Sequence, residues 1–504
     1  MANPLSSRAA GLLLHPTSLP GPHAIGDVGR SARAFVDFLE RAGLGLWQIL
    51  PLVPPGGGAS PYSSRSAFAG NTLLVDLEGL VDDGLLERDD LPPPAGDADR
   101  MDIELATKLK GPALEKAARR VLSAKKGERA FALCQELDAF LERHPWAAEY
   151  GLFVALKRRH EGRAFWEWEP ALRDREPAAL ERARKELDDE VRVAACQQLL
   201  FERQWQSLRA YANGKGVKLI GDVPLYVDAD SVDVWTHRRS FLVDDQGRRL
   251  VLAGAPPDPF SDVGQLWGNP IYDWKYLKET GHAFWVERMR RAFEQTDIVR
   301  IDHFRGFAAY WEIPVGAPDA RAGRWVEGPG RAIFDDLERA LGSLPLIAED
   351  LGVITDDVVA LLDELSLPGM KVLQFAFGED WKNPYLPHNH VENAAVYTGT
   401  HDTNTVVGWW NESPEHVKDH ARRYLGTGGS DIAWDLIRAA FASVAKLAIV
   451  PMQDALSLDA GARMNVPGQA EGNWTWRVRA EAFNDAVAGR LAETAWLYGR
   501  RQAG

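Results

Sequence analysis

The sequence predicts a (β/α)8 barrel, also called a TIM barrel, in which a single α/β catalytic domain takes up residues 1–504. Short apolar runs alternate with segments of helical periodicity, as in repeated βα units. Eight such runs occur, which is the strand number of this barrel. Several of them end in acidic residues, and barrel enzymes place their active sites at the carboxyl ends of the strands.

The eight predicted strands are spread over most of the chain. They are residues 11–14, 46–52, 218–220, 298–301, 344–348, 371–377, 394–397 and 447–451. After the first strand, Phe35, Phe38 and Leu39 fall on one face of a predicted helix. Before the eighth strand, Ile437 and Phe441 do the same. Each strand is therefore expected to be covered by helices.

Two regions interrupt the repeat. Residues 54–214 separate the second and third strands, and from about residue 102 their pattern is helical with charges of both signs. This region is predicted to be a helical insertion subdomain. Residues 253–274 are rich in Gly, Pro, Asp and aromatic residues, and we expect a long loop without regular structure. That loop is a candidate active-site lid.

Composition and charge narrow the classes of function. The net charge of −14 would repel nucleic acids and anionic membranes, so neither is an expected partner. Cys134 and Cys196 lie outside any CxxC pattern, which argues against disulfides and structural zinc and suits a reducing cytoplasm. No apolar stretch approaches the ~18 residues of a membrane span, and the N-terminal apolar run is too short for a secretory signal.

The fourth predicted strand carries a pair of opposite charges at its end. Side chains alternate along a strand, so Arg300 and Asp302 share a face. An adjacent guanidinium lowers the pKa of a carboxyl group and keeps it ionised. An ionised carboxylate can act as a nucleophile, although an isolated Arg-x-Asp is more often a structural ion pair.

Two further acids end later strands. Glu349 follows the fifth strand, and neighbouring strands are ~4.8 Å apart. Its carboxyl group can therefore approach that of Asp302 to the ~5–5.5 Å found in retaining glycosidases. Asp402, after the seventh strand, could stabilise an oxocarbenium-like transition state. Glu349 could instead cap a turn, and Asp402 could cap a helix. Three acids that each follow a predicted apolar strand nevertheless favour an active site.

Short motifs carry a resemblance to a known family. They read GDVPLY at 221–226, VRIDHFRG at 299–306, IAEDLG at 347–352 and YTGTHDT at 397–403. Others are SPY at 60–62, SAFAGN at 66–71, PPD at 256–258, GQLWGNP at 264–270 and GNWTWR at 472–477. Together they resemble the 4-α-glucanotransferases, also called amylomaltases, of the α-amylase superfamily, over nearly the whole chain.

The resemblance implies roles for residues at matching positions. Asp302 is expected to be the nucleophile, Glu349 the acid/base and Asp402 the transition-state stabiliser, with Arg300 orienting Asp302. The remaining implied residues either support these carboxylates or line sugar subsites: Asp222, His303, His401, Tyr62, Gln265, Trp267 and Asn473. Tyr62 and Trp267 could also be packing residues.

The implied activity moves a segment of an α-1,4-glucan to the 4-hydroxyl of a glucose or maltooligosaccharide, through a covalent glucosyl-aspartate. Glycogen, starch or maltodextrin would supply the glucan. No cofactor and no metal are implied, because Pro224, Leu225 and Tyr226 stand where many amylases have the Asn-His pair associated with calcium. A cytoplasmic monomer or homodimer is expected.

Three alternatives compete with this interpretation. One is a glucan hydrolase of the same fold. Another is a metal-dependent barrel hydrolase, but the first strand offers only His15, and Arg300 would oppose a cation. The third is a non-catalytic glucan-binding protein, which the 18 tryptophans would permit. A binding protein, however, needs no nucleophile.

Overall fold

In the computed structural model, which describes residues 5–56, 59–257, 261–469 and 471–502, eight parallel strands form a nearly closed barrel with helices outside it. This confirms the predicted fold. The strands of the chain are β1 (Ala9–Leu13), β2 (Leu46–Gln48), β3 (Lys218–Val223), β4 (Val251–Ala255), β5 (Gln265–Pro270), β6 (Ile298–Ile301), β7 (Ala309–Pro314), β8 (Arg324–Glu327), β9 (Leu346–Ala348), β10 (Gly369–Val372), β11 (Ala394–Tyr397) and β12 (Leu447–Pro451).

The helices differ widely in length. They are α1 (Arg30–Arg41), α2 (Leu77–Asp82), α3 (Ile103–Leu122), α4 (Phe131–Arg143), α5 (Pro145–Arg159), α6 (Pro170–Arg173), α7 (Pro177–Glu186), α8 (Asp188–Gly214), α9 (Val232–Thr236), α10 (Trp274–Glu279), α11 (Ala283–Gln295), α12 (Arg331–Leu341), α13 (Asp356–Leu365), α14 (Val406–Glu412), α15 (Glu415–Leu425), α16 (Ile432–Ala442), α17 (Met452–Ala455) and α18 (Asp485–Leu497). Among the described residues, no helix is long and apolar enough to cross a membrane.

The barrel strands follow the order β10-β11-β12-β1-β2-β3-β6-β9, which leaves one seam between β9 and β10. At that seam the Ala348 N–H donates to the Pro368 carbonyl at 3.0 Å. The Asp350 carboxylate accepts the Met370 N–H at 2.5 Å. A Cβ atom on Gly369 would lie 2.4 Å from that carboxylate, so the close approach depends on glycine. The two hydrogen bonds close the ring that the strand ladders leave open.

The region between β2 and β3 contains α2 to α8, and its last helix docks on the barrel. The indole N–H of Trp205 donates to the Gln295 carbonyl at 2.9 Å. The Arg209 guanidinium donates to the Glu294 carbonyl at 2.6 Å and to the Asp297 carboxylate at 2.9 Å. The carboxyl-terminal half of α8 therefore packs on the end of α11 and on the turn that leads into β6.

The segment 253–274 is not the irregular loop that we expected. It contributes β4 and β5 to an antiparallel sheet of order β5-β4-β7-β8, which covers one side of the barrel opening. Residues 258–260, within this segment, lie outside the described residues. The expectation was wrong because β4 pairs on its other edge with β7, more than fifty residues further along the chain. No local turn signal marks such a pairing.

Three predicted strands are shorter in the structure than the runs that predict them. The run 344–348 enters the sheet only at Leu346, the run 46–52 leaves it after Gln48, and the run 371–377 turns into a 3-10 helix at Leu373–Phe375. Most of the apolar residues outside these strands are buried in loops, and burial alone cannot distinguish them from strand residues. The whole connection 373–393 is described, and it holds two 3-10 turns but no α-helix. One of the eight βα units therefore lacks its helix.

Candidate active site

The carboxyl ends of the barrel strands open into a cleft with a volume of about 1720 Å³. That exceeds the ~300–1,000 Å³ typical of small-molecule sites and suits an extended ligand. Among the residues singled out in the sequence, all but Asp222 line the cleft. They are Tyr62, Gln265, Trp267, Arg300, Asp302, His303, Glu349, His401, Asp402 and Asn473.

Arg300 bridges two aspartates at the floor of the cleft. Its Nη2 donates to Asp222 at 2.8 Å and to Asp302 at 2.9 Å. The Asp222 side chain is fully buried, whereas that of Asp302 is 28% exposed. The Tyr62 hydroxyl donates to Asp222 at 2.6 Å and lies 3.2 Å from Arg300. Asp222 and Tyr62 thus hold Arg300 from below, and Asp302 faces the cleft.

Asp302 and Glu349 have different proton affinities. Burial raises the pKa of Asp302 to about 6, although Arg300 opposes the rise. Arg300 lowers this pKa, as the sequence predicted, but burial has the larger effect and the net change is a rise. Burial, followed by the charge of Asp302, raises the pKa of Glu349 further, to about 8. Near neutral pH Asp302 is therefore mainly ionised, and Glu349 is mainly protonated.

Backbone groups fix the Glu349 carboxyl group. It accepts the His303 N–H at 2.6 Å and the Leu351 N–H at 3.0 Å. His303 has a φ of 51°, in the left-handed region that is uncommon for residues other than glycine. That conformation lies immediately after Asp302, where β6 ends. Burial lowers the pKa of His303 to about 3, so its ring is neutral.

Asp402 lies after β11 and is held by two neighbours. Asn465 Nδ2 donates to its carboxylate at 2.6 Å, and His401 Nε2 lies 3.2 Å away. Burial acts to raise the pKa of Asp402, but the charge and hydrogen bond of His401 and the hydrogen bond of Asn465 lower it to about 2. The His401 ring stacks on Tyr62 with centroids 5.1 Å apart. Asp402 is therefore ionised across the cleft.

The antiparallel sheet brings Gln265 and Trp267 to the cleft. The Trp267 indole packs edge-on against His303 with centroids 4.8 Å apart. Its N–H donates to the Gln265 side chain at 3.0 Å. Both side chains belong to β5, so a strand rather than an irregular loop places them beside the carboxylates.

Asn473 lines the cleft and also braces its rim. Its side-chain oxygen accepts the Val466 N–H at 2.9 Å, and its nitrogen donates to the Gln469 carbonyl at 2.8 Å. This amide therefore holds the loop 466–469 in place. Any ligand contact would use what remains of its hydrogen-bonding capacity.

Several lining residues were not singled out in the sequence. Asn465 was missed, although it follows β12, where the rule on barrel active sites could have directed attention to it. Arg249 and Trp325 depend on the sheet that was not predicted, and Phe375 and Trp409 lie on segments without a motif. Trp474 lies within the GNWTWR motif but was not selected from it.

Comparisons with known proteins agree with the geometry. Residues 14–482 match the protein family described as 4-alpha-glucanotransferase. A 4-alpha-glucanotransferase from Thermus thermophilus is 47% identical over 96% of this chain and 97% of its own length. One from Synechocystis is 46% identical over 99% of both chains. The structure of an amylomaltase from Streptococcus agalactiae in complex with acarbose superposes with a TM-score of 0.94 at 40% identity, covering 98% of this chain and all of the other.

The Arg300 bridge predicts that Asp222 and Asp302 contribute very differently to stability. Asp222→Ala leaves a buried guanidinium without its buried partner, and we expect the free energy of unfolding to fall by about 3 kcal/mol. Asp302→Ala leaves Arg300 paired with Asp222 and should change stability by less than about 1 kcal/mol. Chemical denaturation of both variants measures the difference. Equal losses would show that Arg300 does not depend on Asp222.

Proposed function

The chain belongs to the 4-alpha-glucanotransferase family and is a transferase that acts on α-glucans, and we propose that it transfers the glucan through a covalent ester on Asp302. One observation carries the proposal: a single cleft holds the Asp302 carboxylate, hydrogen-bonded to Arg300, beside the Glu349 carboxyl group, whose pKa is raised by burial. A retaining mechanism needs such a pair, an ionised nucleophile and a protonated acid.

In the first step, an Asp302 oxygen attacks the anomeric carbon of the donor glucan. The bond from that carbon to the glycosidic oxygen breaks, and Glu349 gives its proton to the departing oxygen. Asp402 remains ionised and stabilises the positive charge that develops on the sugar ring. The backbone N–H groups that hold Glu349 keep its carboxyl group in place during the proton transfer.

In the second step, the 4-hydroxyl of an acceptor sugar attacks the same carbon. Glu349, now a carboxylate, takes the proton of that hydroxyl, and the ester bond to Asp302 breaks. Two inversions leave the new linkage in the α configuration. The enzyme returns to its starting protonation state without a cofactor or a metal.

Transfer requires that an acceptor hydroxyl reach the ester before water does. We propose that Gln265 and Trp267 favour the acceptor by covering the sugar beside the reacting carbon. Trp267 contacts His303, the residue next to the nucleophile. An apolar ring at that position excludes water, and the nearby amide can orient a hydroxyl group. The two strands of this segment would then act as a fixed cover, since they are paired in a sheet.

We further propose that the substrates are α-1,4-linked maltooligosaccharides derived from glycogen, starch or maltodextrin. The acarbose complex of the Streptococcus agalactiae relative supports this substrate class. Asp222 and Tyr62 support Arg300, while His401 and Asn473 shape the cleft. A cytoplasmic location, as a monomer or homodimer, is consistent with two cysteines that are both free.

The two catalytic roles can be separated by the leaving group. α-Maltotriosyl fluoride releases fluoride, which needs no proton, whereas maltotriose releases a sugar that does. Glu349→Gln should lose at least about 10³-fold in activity on maltotriose but retain much more of its rate of fluoride release in the first turnover, before the ester has to react. Asp302→Ala should lose both activities. If Asp302→Ala releases fluoride at the wild-type rate, the nucleophile is misassigned.

The two pKa values predict a bell-shaped dependence of kcat/KM on pH. Activity should fall below about pH 6 as Asp302 becomes protonated, and above about pH 8 as Glu349 loses its proton. Fluoride release by Glu349→Gln should keep the acidic limb and lose the basic one. If the basic limb persists in this variant, a group other than Glu349 causes the loss of activity at high pH.

The proposed cover predicts a change in the fate of the ester. Gln265→Ala and Trp267→Ala should each raise the ratio of hydrolysis to transfer, because water gains access to the reacting carbon. With maltotriose, transfer leaves the number of reducing ends constant, and hydrolysis increases it. Measuring reducing ends together with the product profile gives the ratio, and an unchanged ratio in both variants would reject the cover.

A further inference from the structure

Trp325 is an exposed aromatic residue that lines the cleft and comes from the antiparallel sheet, not from the barrel. It lies on β8, at the edge of the antiparallel sheet, and is 39% exposed. Part of its ring is therefore in contact with solvent. Singly exposed tryptophans are common on protein surfaces, but this one lies on the wall of the cleft, where an aromatic ring can pack against a sugar.

The Trp325 ring is held on two sides. The Arg305 guanidinium lies over it with its carbon 3.8 Å from the ring centroid. Trp311, its partner on β7, packs in a T-shaped arrangement with ring centroids 5.1 Å apart. Arg305 is itself buried and donates a hydrogen bond to the Val353 carbonyl. The exposed part of the ring is thus pre-oriented, which reduces the entropy that binding would cost.

The contacts of Arg305 link Trp325 to the stretch of chain that follows Glu349. Val353 is four residues beyond Glu349, on the stretch whose Leu351 N–H holds the Glu349 carboxyl group. The chain therefore runs from Glu349 directly to the group that supports Trp325. In the proposed mechanism Glu349 protonates the departing oxygen, so the leaving and accepting sugars occupy its side of the cleft.

We infer that Trp325 is a binding platform for a glucose unit of the acceptor chain beyond the unit that reacts. The inference rests on the proposed function, because it uses Glu349 as the acid/base to orient the chain. The aromatic face of Trp325 would pack against the C–H face of an α-1,4-linked glucose ring. Arg305 holds the ring in place for that contact. Longer maltooligosaccharide acceptors would reach Trp325, and glucose alone would not.

An acceptor-length series tests this assignment. α-Maltotriosyl fluoride serves as the donor because its leaving group is a single ion that leaves the acceptor side empty. With glucose as acceptor, Trp325→Ala should have the KM of the wild type. In the acceptor series up to maltoheptaose, every acceptor long enough to reach Trp325 should have a KM about fivefold to tenfold higher in Trp325→Ala than in the wild type, with kcat retained. Trp325→Phe should recover most of the affinity.

Trp496→Ala is the matched control, since Trp496 is 67% exposed on α18 and does not line the cleft. It should match the wild type for every acceptor. An acceptor KM of Trp325→Ala that is unchanged at all lengths would overturn the inference, and so would an equal rise for glucose and maltoheptaose, which would indicate a general structural effect. Failure of the proposed function is seen separately, as fluoride release that survives in Asp302→Ala.

Discussion

The guanidinium of Arg300 joins a fully buried aspartate to the one that faces the cleft, and the chemistry of the site depends on this bridge. A buried cation is costly unless it is paired, and Asp222 is the buried partner of Arg300. The second hydrogen bond of the same nitrogen then holds Asp302 and favours its ionised form against burial. Without Arg300, burial would raise the pKa of Asp302 further, towards that of Glu349.

The barrel supplies the geometry that this electrostatic arrangement needs. β3, β6 and β9 are neighbours, so Asp222, Arg300 and Glu349 come from adjacent strands. The chain turns sharply at His303, and its N–H is thereby directed at Glu349. On the opposite side, Asn465 and His401 keep Asp402 ionised. The carboxyl groups of Asp302, Glu349 and Asp402 therefore have different pKa values because their surroundings differ.

Much of this could be predicted from the sequence, for identifiable reasons. Strand positions and the acids that end them follow from local periodicity, so the barrel and the candidate acids Asp302, Glu349 and Asp402 could be identified. The sheet of β4, β5, β7 and β8 could not, because its central strands β4 and β7 pair across more than fifty residues. The net pKa shift of Asp302 was also missed, since a sequence shows a neighbouring charge but not the extent of burial. Trp325 and Asn465 depend on that tertiary packing.

Trapping the ester on Asp302 tests the central claim most directly. In Glu349→Gln incubated with α-maltotriosyl fluoride, the first step can proceed, but the second lacks its base. Trypsin releases residues 301–305, a peptide in which Asp302 is the only side-chain carboxylate. The mechanism predicts that mass spectrometry will find one maltotriosyl group on this peptide. Turnover without any adduct, or an adduct on a peptide that contains Asp402 instead, would contradict it.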